Sequence, residues 1–305
     1  MSRRFPPIIL VLLLVLAGCA SHPADQDSTA APDTEATFPV TIGPVTIDRR
    51  PTRIVSLSAS ATETLFAVGA GKEVVAVDSQ SDYPPEAPHT RLSALSPDPE
   101  AIASYHPDLV IASADQNGLS AALAKIGAKT LVMPAAKSLD EAYDQFVQLG
   151  RATGHQAEGE SLARQTRSDI DKIVADAPKP AKPLTYYYEI DQTYYSATSA
   201  TFIGSVLSRF GLKNIADGND PGISGGYPQL SAERILQSNP DLIFLADSTC
   251  CGQNPQTVAA RPGWNTLTAV RAGHVFPLDD DIASRWSPRI VDLVRAVAGA
   301  LAGAQ

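Results

Sequence analysis

The chain has 305 residues, a formal net charge of −9 and three cysteines. An acidic balance of this size argues against a nucleic-acid-binding protein, because such proteins carry basic patches that contact phosphates. Cys250 and Cys251 are adjacent, so they cannot form the disulfide framework of a small secreted domain. The sequence leaves open whether these two residues bond to each other or stay free.

The amino terminus has the pattern of a secretory signal peptide over residues 1–18. Two arginines precede a short aliphatic run at residues 8–16, and small residues follow it, as in the three regions of such a signal. The run is shorter than the roughly 20 residues that span a bilayer. Leu16-Ala17-Gly18-Cys19 resembles a bacterial lipobox. The resemblance implies a lipid on Cys19 and an extracytoplasmic protein anchored to the cell membrane; an ordinary signal peptide cut elsewhere is the alternative.

Residues 19–45 are expected to form a disordered tether. The segment is rich in Ala, Ser, Thr, Asp and Pro, and segments of this kind do not bury enough apolar surface to fold. The folded part of the chain is therefore expected to begin near residue 46.

Beyond the tether, short apolar runs alternate with helical patterns. Runs that are apolar throughout predict buried parallel strands with helices on both faces of the sheet. The predicted strands are residues 53–57, 74–77, 108–112, 130–133, 184–188, 241–245 and 274–278. In the predicted helix 60–68, Ser60 and Glu63 have the spacing of a capping box, with Ser60 as the N-cap.

The alternation divides into two halves around one long, mostly polar helix. The first half covers residues 46–150, the connecting helix covers 155–177, and the second half covers 183–305. Such a helix is about 30 Å long. The predicted fold is α/β: two Rossmann-like lobes joined by a single long α-helix, with a ligand cleft between the lobes.

Both halves contain the same helix–Pro-Asp–strand cassette, and other motifs accompany it. They are Arg53-Ile54-Val55-Ser56-Leu57-Ser58 with Ala61-Thr62-Glu63, Ser81-Asp82-Tyr83-Pro84-Pro85, the two cassettes, Arg261-Pro262-Gly263-Trp264 and Ser287-Pro288-Arg289-Ile290. In this order the motifs resemble those of the substrate-binding proteins of ABC importers for iron complexes and cobalamin. The resemblance implies a non-catalytic receptor that delivers a metal chelate to an ABC permease dimer, with no cofactor of its own.

The resemblance is closest to the vitamin B12 receptors, but their aromatic cage is incomplete here. Tyr195 and Tyr227 match two cage aromatics, whereas Gln80, Ala94 and Ser113 stand where those receptors carry aromatic residues. We therefore expect a ferric siderophore or haem as the ligand, with a corrinoid as the alternative. A bare transition metal is a weaker alternative, because it needs several converging His or carboxylate ligands.

Loops at the strand ends supply the candidate ligand-binding residues. They are Tyr194, Tyr195, Tyr227, Arg285, Trp286 and Gln80. Tyrosine offers a flat apolar face, and its oxygen can coordinate ferric haem. Arg285 could pair with ligand carboxylates. A simpler interpretation makes Tyr194 and Tyr195 strand-edge aromatics and Arg285 an ordinary surface residue. Trp264 is expected to pack in the core, and Arg289 to form a structural ion pair.

Glu100 and Glu233 occupy the first turns of equivalent helices, one in each half. A carboxylate at that position stabilises a helix N-terminus by about 0.3–1 kcal/mol, which by itself accounts for both residues. The resemblance implies a further role, because in that family these two glutamates dock into arginine pockets of the permease dimer.

An enzyme is not expected. The Gly-x-Ser-x-Gly motif of a hydrolase is absent, and the five histidines are scattered along the chain, so nothing indicates a Ser-His-Asp set. We therefore expect no catalytic residues and no protein-bound metal.

Overall fold

Two parallel sheets carry the fold. The computed structural model of the chain describes residues 37–219, 222 and 224–304. The predicted signal peptide, Cys19 and the first part of the predicted tether lie outside the described residues.

The strands, in chain order, are β1 (Val40–Ile42), β2 (Val45–Ile47), β3 (Ile54–Leu57), β4 (Val74–Val77), β5 (Leu109–Ala112), β6 (Lys129–Val132), β7 (Thr185–Glu189), β8 (Lys213–Asn214), β9 (Leu242–Leu245) and β10 (Val275–Pro277). The α-helices are α1 (Ala59–Ala67), α2 (Pro99–Ala103), α3 (Leu119–Ala124), α4 (Leu139–Thr153), α5 (Gln156–Asp176), α6 (Phe202–Ser208), α7 (Ala232–Ser238), α8 (Ser248–Cys251), α9 (Pro255–Ala259), α10 (Thr268–Ala272), α11 (Asp280–Ser284) and α12 (Ile290–Gly303).

The two sheets have the same topology. Their strand orders are β4-β3-β5-β6 and β10-β9-β7-β8, so in each sheet the first strand lies between the second and the third. Every neighbouring pair in both sheets is parallel. All residues of β3, β5 and β9 are buried, as expected for a sheet covered on both faces. The predicted α/β fold with two lobes is confirmed.

The Pro-Asp cassette makes the same contacts in each lobe. Asp108 accepts hydrogen bonds from the backbone N–H of Thr52 at 2.9 Å and from its hydroxyl at 3.0 Å. Asp241 does the same for Thr185, at 2.8 and 2.9 Å. In both lobes the aspartate thus holds the start of the first strand of its sheet. The repeat in the sequence therefore corresponds to a repeated hydrogen-bond arrangement.

The lobes are joined by α4 as well as by α5. Tyr143 and Phe146 of α4 belong to the apolar cluster of the second lobe, whereas Leu149 and Ala152 belong to that of the first lobe. Helix α5 is the long connecting helix that the sequence predicts, and α4, which contributes to both cores, packs along it.

The close approach of α4 and α5 depends on two glycines. A Cβ atom on Gly150 would lie 2.9 Å from the Cα of Gly159. A Cβ atom on Gly159 would lie 2.7 Å from the carbonyl oxygen of Phe146. Both distances are shorter than a carbon atom tolerates, so only glycine permits this spacing.

The predicted tether at residues 19–45 is wrong at its C-terminal end. Val40–Ile42 and Val45–Ile47 pair as an antiparallel hairpin, and Val40, Ile42 and Ile47 are buried in the core of the first lobe. Apolar residues alternate with polar ones on both strands, which is the signal of a half-buried hairpin. The polar composition of residues 19–45 as a whole obscured this alternation.

We predict that Gly159→Ala lowers the free energy of unfolding by about 1–3 kcal/mol, because the added methyl group forces α4 and α5 apart. Gly299→Ala on α12 is the matched control, since nothing lies within 4 Å of a Cβ atom there. That change should stabilise the protein by about 0.5–1 kcal/mol. Urea unfolding followed by circular dichroism measures both, and equal effects would contradict the proposed helix contact.

Candidate functional site

A cavity lies where the two lobes face each other. The loops that follow β3, β4 and β5 meet the segment that follows β10, as expected for the carboxyl ends of parallel strands. The cavity, of about 260 Å³, is lined by Leu57, Ser58, Ala59, Ser60, Asp78, Gln80, Ala94 and Ser113 of the first lobe and by Asp281, Ser284, Arg285 and Trp286 of the second. Gln80, Arg285 and Trp286 were predicted as ligand-binding residues. We call this cavity the cleft.

A buried ion network joins the lobes beside the cleft. Glu63 of α1 is 4% exposed. Its carboxylate accepts hydrogen bonds from Arg285 Nη1 at 2.8 Å and from Arg289 Nε at 2.9 Å and Nη2 at 3.0 Å. The hydroxyl of Ser287 also donates to it. The carboxylate belongs to the first lobe and its three partners belong to the second, so the network fixes how the lobes meet. The expected ion pair of Arg289 is confirmed.

The capping box predicted for α1 is wrong. The N-cap is Ser58, whose hydroxyl accepts from the backbone N–H of Ala61. Ser60 is the second helical residue, and its hydroxyl accepts instead from the backbone N–H of Trp286 at 3.2 Å. Glu63 does not reach back to the helix start, because two guanidinium groups of the other lobe bind it. Sequence spacing cannot report partners that lie more than 200 residues away.

Arg285 lies in the cleft wall, but its charge is already paired. Besides Glu63, its guanidinium donates to Asp82 at 2.9 Å, to the carbonyl oxygen of Gln80 at 2.9 Å, and to Asp281. The side chain is 9% exposed. The sequence predicted that this arginine pairs with a ligand carboxylate; the structure corrects that role, because the protein's own carboxylates occupy it.

Burial and the charge of Arg285 shift the pKa values of the acidic groups around this arginine. Burial alone would raise the pKa of Asp82, but the hydrogen bond and the charge of Arg285 outweigh it, so the pKa is lowered. At Asp281 burial dominates and raises the pKa despite Arg285. Burial also raises the pKa of Asp78. Carboxyl groups, and no unpaired arginine or lysine, thus line the cleft within the described residues.

The predicted tyrosines divide into two kinds. Tyr194 stacks on Trp264, with ring centroids 5.7 Å apart, and Arg261 lies over both rings. It therefore packs against the core, which corrects its predicted ligand role. Trp264 is fully buried, as expected. Tyr195 and Tyr227 are 41% and 44% exposed, and their loops are joined by a β-bridge between Tyr195 and Gln229.

Tyr195 and Tyr227 lie at the carboxyl edge of the second sheet, outside the lining of the cleft cavity. Tyr195 follows β7, and Tyr227 precedes α7. Trp286 lines the cavity itself, and its indole N–H donates to Gln145 of α4 at 2.9 Å. The second lobe thus offers two exposed tyrosine rings and one tryptophan that is held by a hydrogen bond.

Glu100 and Glu233 lie in the first turns of α2 and α7, which begin with the N-caps Asp98 and Ser231. Both glutamates are exposed. The backbone N–H of Glu233 and the hydroxyl of Ser231 lower the pKa of Glu233. Neither glutamate takes part in a salt bridge in the part of the chain that the structure describes.

A second polar cluster lies at the carboxyl ends of β7 and β9, and sequence reasoning missed it. Arg261 binds both carboxylate oxygens of Glu189 at 2.6 Å. Asp247, fully buried at the end of β9, is close enough to Glu189 to feel its charge. Burial and that charge raise the pKa of Asp247 to about 7. The Arg-Pro-Gly-Trp motif was the available signal, since it contains Arg261.

Cys250 and Cys251 are joined by a disulfide bond, which answers the question that the sequence left open. Both residues are exposed. Among the described residues no cluster of three or more His, Cys, Asp or Glu side chains is arranged to hold a metal ion. None of the described helices combines the length and the apolar character needed to cross a membrane.

Comparisons with known proteins agree with this geometry. A sequence profile of the family described as "Periplasmic binding protein" matches residues 54–282. The chain is 31% identical to the ABC transporter substrate-binding lipoprotein YvrC of Bacillus subtilis, over 95% of this chain and 94% of the relative. It is 30% identical to a cobalamin-binding protein of Halobacterium salinarum, over 97% and 84%. The structure of the haem-binding protein RhuT from Roseiflexus sp. RS-1 superposes with a TM-score of 0.71 at 25% identity, covering 83% of this chain and 99% of that one.

We predict that Glu63→Gln lowers the free energy of unfolding by about 3–5 kcal/mol, because it leaves the buried guanidinium of Arg285 and the partly buried one of Arg289 without their shared carboxylate. Asp292→Asn is the matched control: its ion pair with Arg295 is exposed, and such pairs contribute about 1 kcal/mol or less. Urea unfolding at pH 7 compares the two. If Glu63→Gln changed stability no more than the control, the network would not hold the lobes together.

Proposed function

The chain belongs to the periplasmic binding protein family, and on that premise we propose that it captures a corrinoid outside the cytoplasmic membrane and presents it to an ABC permease. It is a solute-binding protein of an ABC importer of the kind that handles siderophores, haem or vitamin B12, and it is not an enzyme. The corrinoid is the part that we propose. This reverses the order of ligands expected from the sequence, because the charge of Arg285 is already paired with carboxylates of the protein.

The proposal of a corrinoid rests on the distribution of charge in the cleft wall. Arg285 is shared by Glu63, Asp82 and Asp281, so no free guanidinium is available to a ligand carboxylate. Haem propionates and anionic ferric siderophores would bring negative charge to a wall that already holds Asp78 and Asp281. Burying such charge without a partner is strongly unfavourable. A ligand that is neutral overall avoids this cost.

The polar lining supports the same ligand. Ser58, Ser60, Gln80 and Ser113 offer hydroxyl and amide groups to the cleft, and these groups both donate and accept hydrogen bonds. A corrinoid is a large macrocycle with neutral amide groups around its periphery, so such a lining can satisfy it. The names of relatives add support, since one that is 30% identical over nearly the whole chain is a cobalamin-binding protein.

A ferric siderophore or haem is the second candidate, and two exposed tyrosines favour it. Tyr195 and Tyr227 present hydroxyl groups at the carboxyl edge of the second sheet, and a tyrosine oxygen can serve as an axial ligand to ferric haem. The same two rings could equally contact a corrinoid through their faces. A bare metal ion is not proposed, because the described residues form no ligand cluster.

Docking to the permease is proposed to use Glu100 and Glu233. The two carboxylates are exposed, belong to different lobes, and begin equivalent helices that precede equivalent Pro-Asp strands. A pair of like charges at related positions suits a partner with two-fold symmetry and basic pockets. Lipidation at Cys19 remains a prediction from the lipobox, since that residue lies outside the described part of the chain.

We predict that the purified chain binds cyanocobalamin saturably, with quenching of tryptophan fluorescence, and binds haemin or a ferric tricatecholate far more weakly. Tyr195→Ala and Tyr227→Ala should each weaken cyanocobalamin binding by about ten-fold, through loss of an aromatic contact. Ile126→Ala is the control, because this exposed residue precedes β6, at the amino edge of the first sheet, whereas the cleft lies at the carboxyl edge. Haemin binding with a Soret shift that Tyr227→Phe abolishes, and no response to cyanocobalamin, would replace the corrinoid with haem.

We predict that the double variant Glu100→Ala/Glu233→Ala binds its ligand normally but supports little uptake by cells, because the docking charges are lost while the cleft is intact. The control Glu158→Ala/Asp292→Ala removes exposed carboxylates from the first turns of α5 and α12 and should leave uptake unchanged. Radiolabelled cobalamin uptake and equilibrium binding are the two readouts. Normal uptake in the first variant would refute the docking role.

A further inference from the structure

We propose that the Cys250–Cys251 disulfide is an apolar contact for the ligand on the second-lobe side of the cleft. The proposal rests on the proposed function, because it places a further ligand contact beside the same cleft. Nothing in the sequence resemblance assigns a role to these two residues.

The position of the disulfide comes from the helix that carries it. Helix α8 begins three residues after β9 ends, so it lies at the carboxyl edge of the second sheet, where ligand sites of α/β sheets form. The hydroxyl of Ser248 donates to the carbonyl oxygen of Leu278, just after β10. Helix α8 is therefore packed against the segment that continues into the cleft wall.

Asp280 connects α8 directly to that wall. Its carboxylate accepts hydrogen bonds from the backbone N–H of Thr249 at 3.0 Å and from that of Cys250 at 2.6 Å. Asp280 is the first residue of α11, and the same short helix supplies Asp281 and Ser284 to the cleft lining. Helix α8, which carries the disulfide, is thus hydrogen-bonded to α11, which supplies residues to the cavity lining.

The chemistry of the surface that α8 exposes follows from which of its polar groups already have hydrogen-bond partners. Because Asp280 binds the two N–H groups, α8 does not offer them to an anion. Both cysteine side chains are exposed, and their bond leaves neither sulfur with a proton to donate. What α8 presents is a small, polarizable, apolar surface in an otherwise polar loop (Ser248, Thr249, Gln253, Asn254). Sulfur of this kind packs well against the edge of a conjugated ring.

A large planar macrocycle is the occupant that fits this surface. It is too big for a cavity of about 260 Å³, so part of it would extend beyond the cavity, and along the second-lobe edge it would meet α8 and the exposed Tyr227. The disulfide and the tyrosine faces would then contact the apolar edge of the ring while the polar lining binds its amide groups.

The test compares the full unmodified chain with the double variant Cys250→Ser/Cys251→Ser, using cyanocobalamin or haemin, whichever binds the unmodified chain. Isothermal titration should show about three- to ten-fold weaker binding in the variant, and Ile126→Ala should bind normally. A second readout separates contact from a purely structural bond. Saturating ligand should slow the reduction of the disulfide by a phosphine at least five-fold, as counted by iodoacetamide labelling and mass spectrometry.

Equal affinity in the variant, or a reduction rate that the ligand leaves unchanged, would overturn the contact. A chain that binds neither probe would instead refute the proposed function. If the double variant melts at a lower temperature, the reduction rate of the unmodified chain still decides the question, because that measurement needs no substitution.

Discussion

The buried carboxylate of Glu63 is the constraint on which the arrangement of the two lobes depends. A carboxylate out of water is stable only when its partners are complete. Here those partners, Arg285, Ser287 and Arg289, all come from the other lobe. Moving the lobes apart would break the network and leave the buried Glu63 carboxylate without its partners, whereas Arg285 would keep only Asp281 of its own lobe. The network therefore works together with the α4–α5 pair, one holding the lobes beside the cleft and the other through their shared apolar core.

The same network is the basis of the ligand that we propose. An arginine in a ligand cleft normally indicates an anionic ligand, since its guanidinium matches a carboxylate. Here three protein carboxylates already surround Arg285, so its charge serves the lobe contact instead. What remains for a ligand is a set of hydroxyl and amide groups and two tyrosine faces. The interaction that holds the lobes and the proposed preference for a neutral ligand thus have one physical origin.

The repeated topology bears on both parts of the proposed function, docking to the permease and binding of the ligand. In each sheet the first strand is central, and an aspartate of the Pro-Asp cassette holds its start. The helix of each cassette begins with an exposed glutamate. Because the lobes share this design, the two glutamates occupy related positions, which suits the proposed docking to a symmetric permease. The loops at the strand ends are not repeated: α11 lines the cleft from the second lobe only, and Tyr195 and Tyr227 lie beside the cleft in the same lobe.

Local pattern was sufficient for seven of the ten described strands, most of the helices and the repeat, because a run of buried apolar residues or a Pro-Asp turn depends on neighbours close in the chain. The family resemblance marked Gln80, and the loop that follows β10 marked Trp286, as candidates for ligand binding, and both residues line the cavity. Local pattern failed for Ser60 and Glu63, whose spacing fits a capping box although their partners lie in the other lobe, and for the role of Arg285, for the same reason. It also failed for the β1–β2 hairpin, where an apolar alternation of three residues is hidden in a polar segment. The partner of a charged side chain is chosen by which surfaces the fold brings together, and that choice is made only in three dimensions.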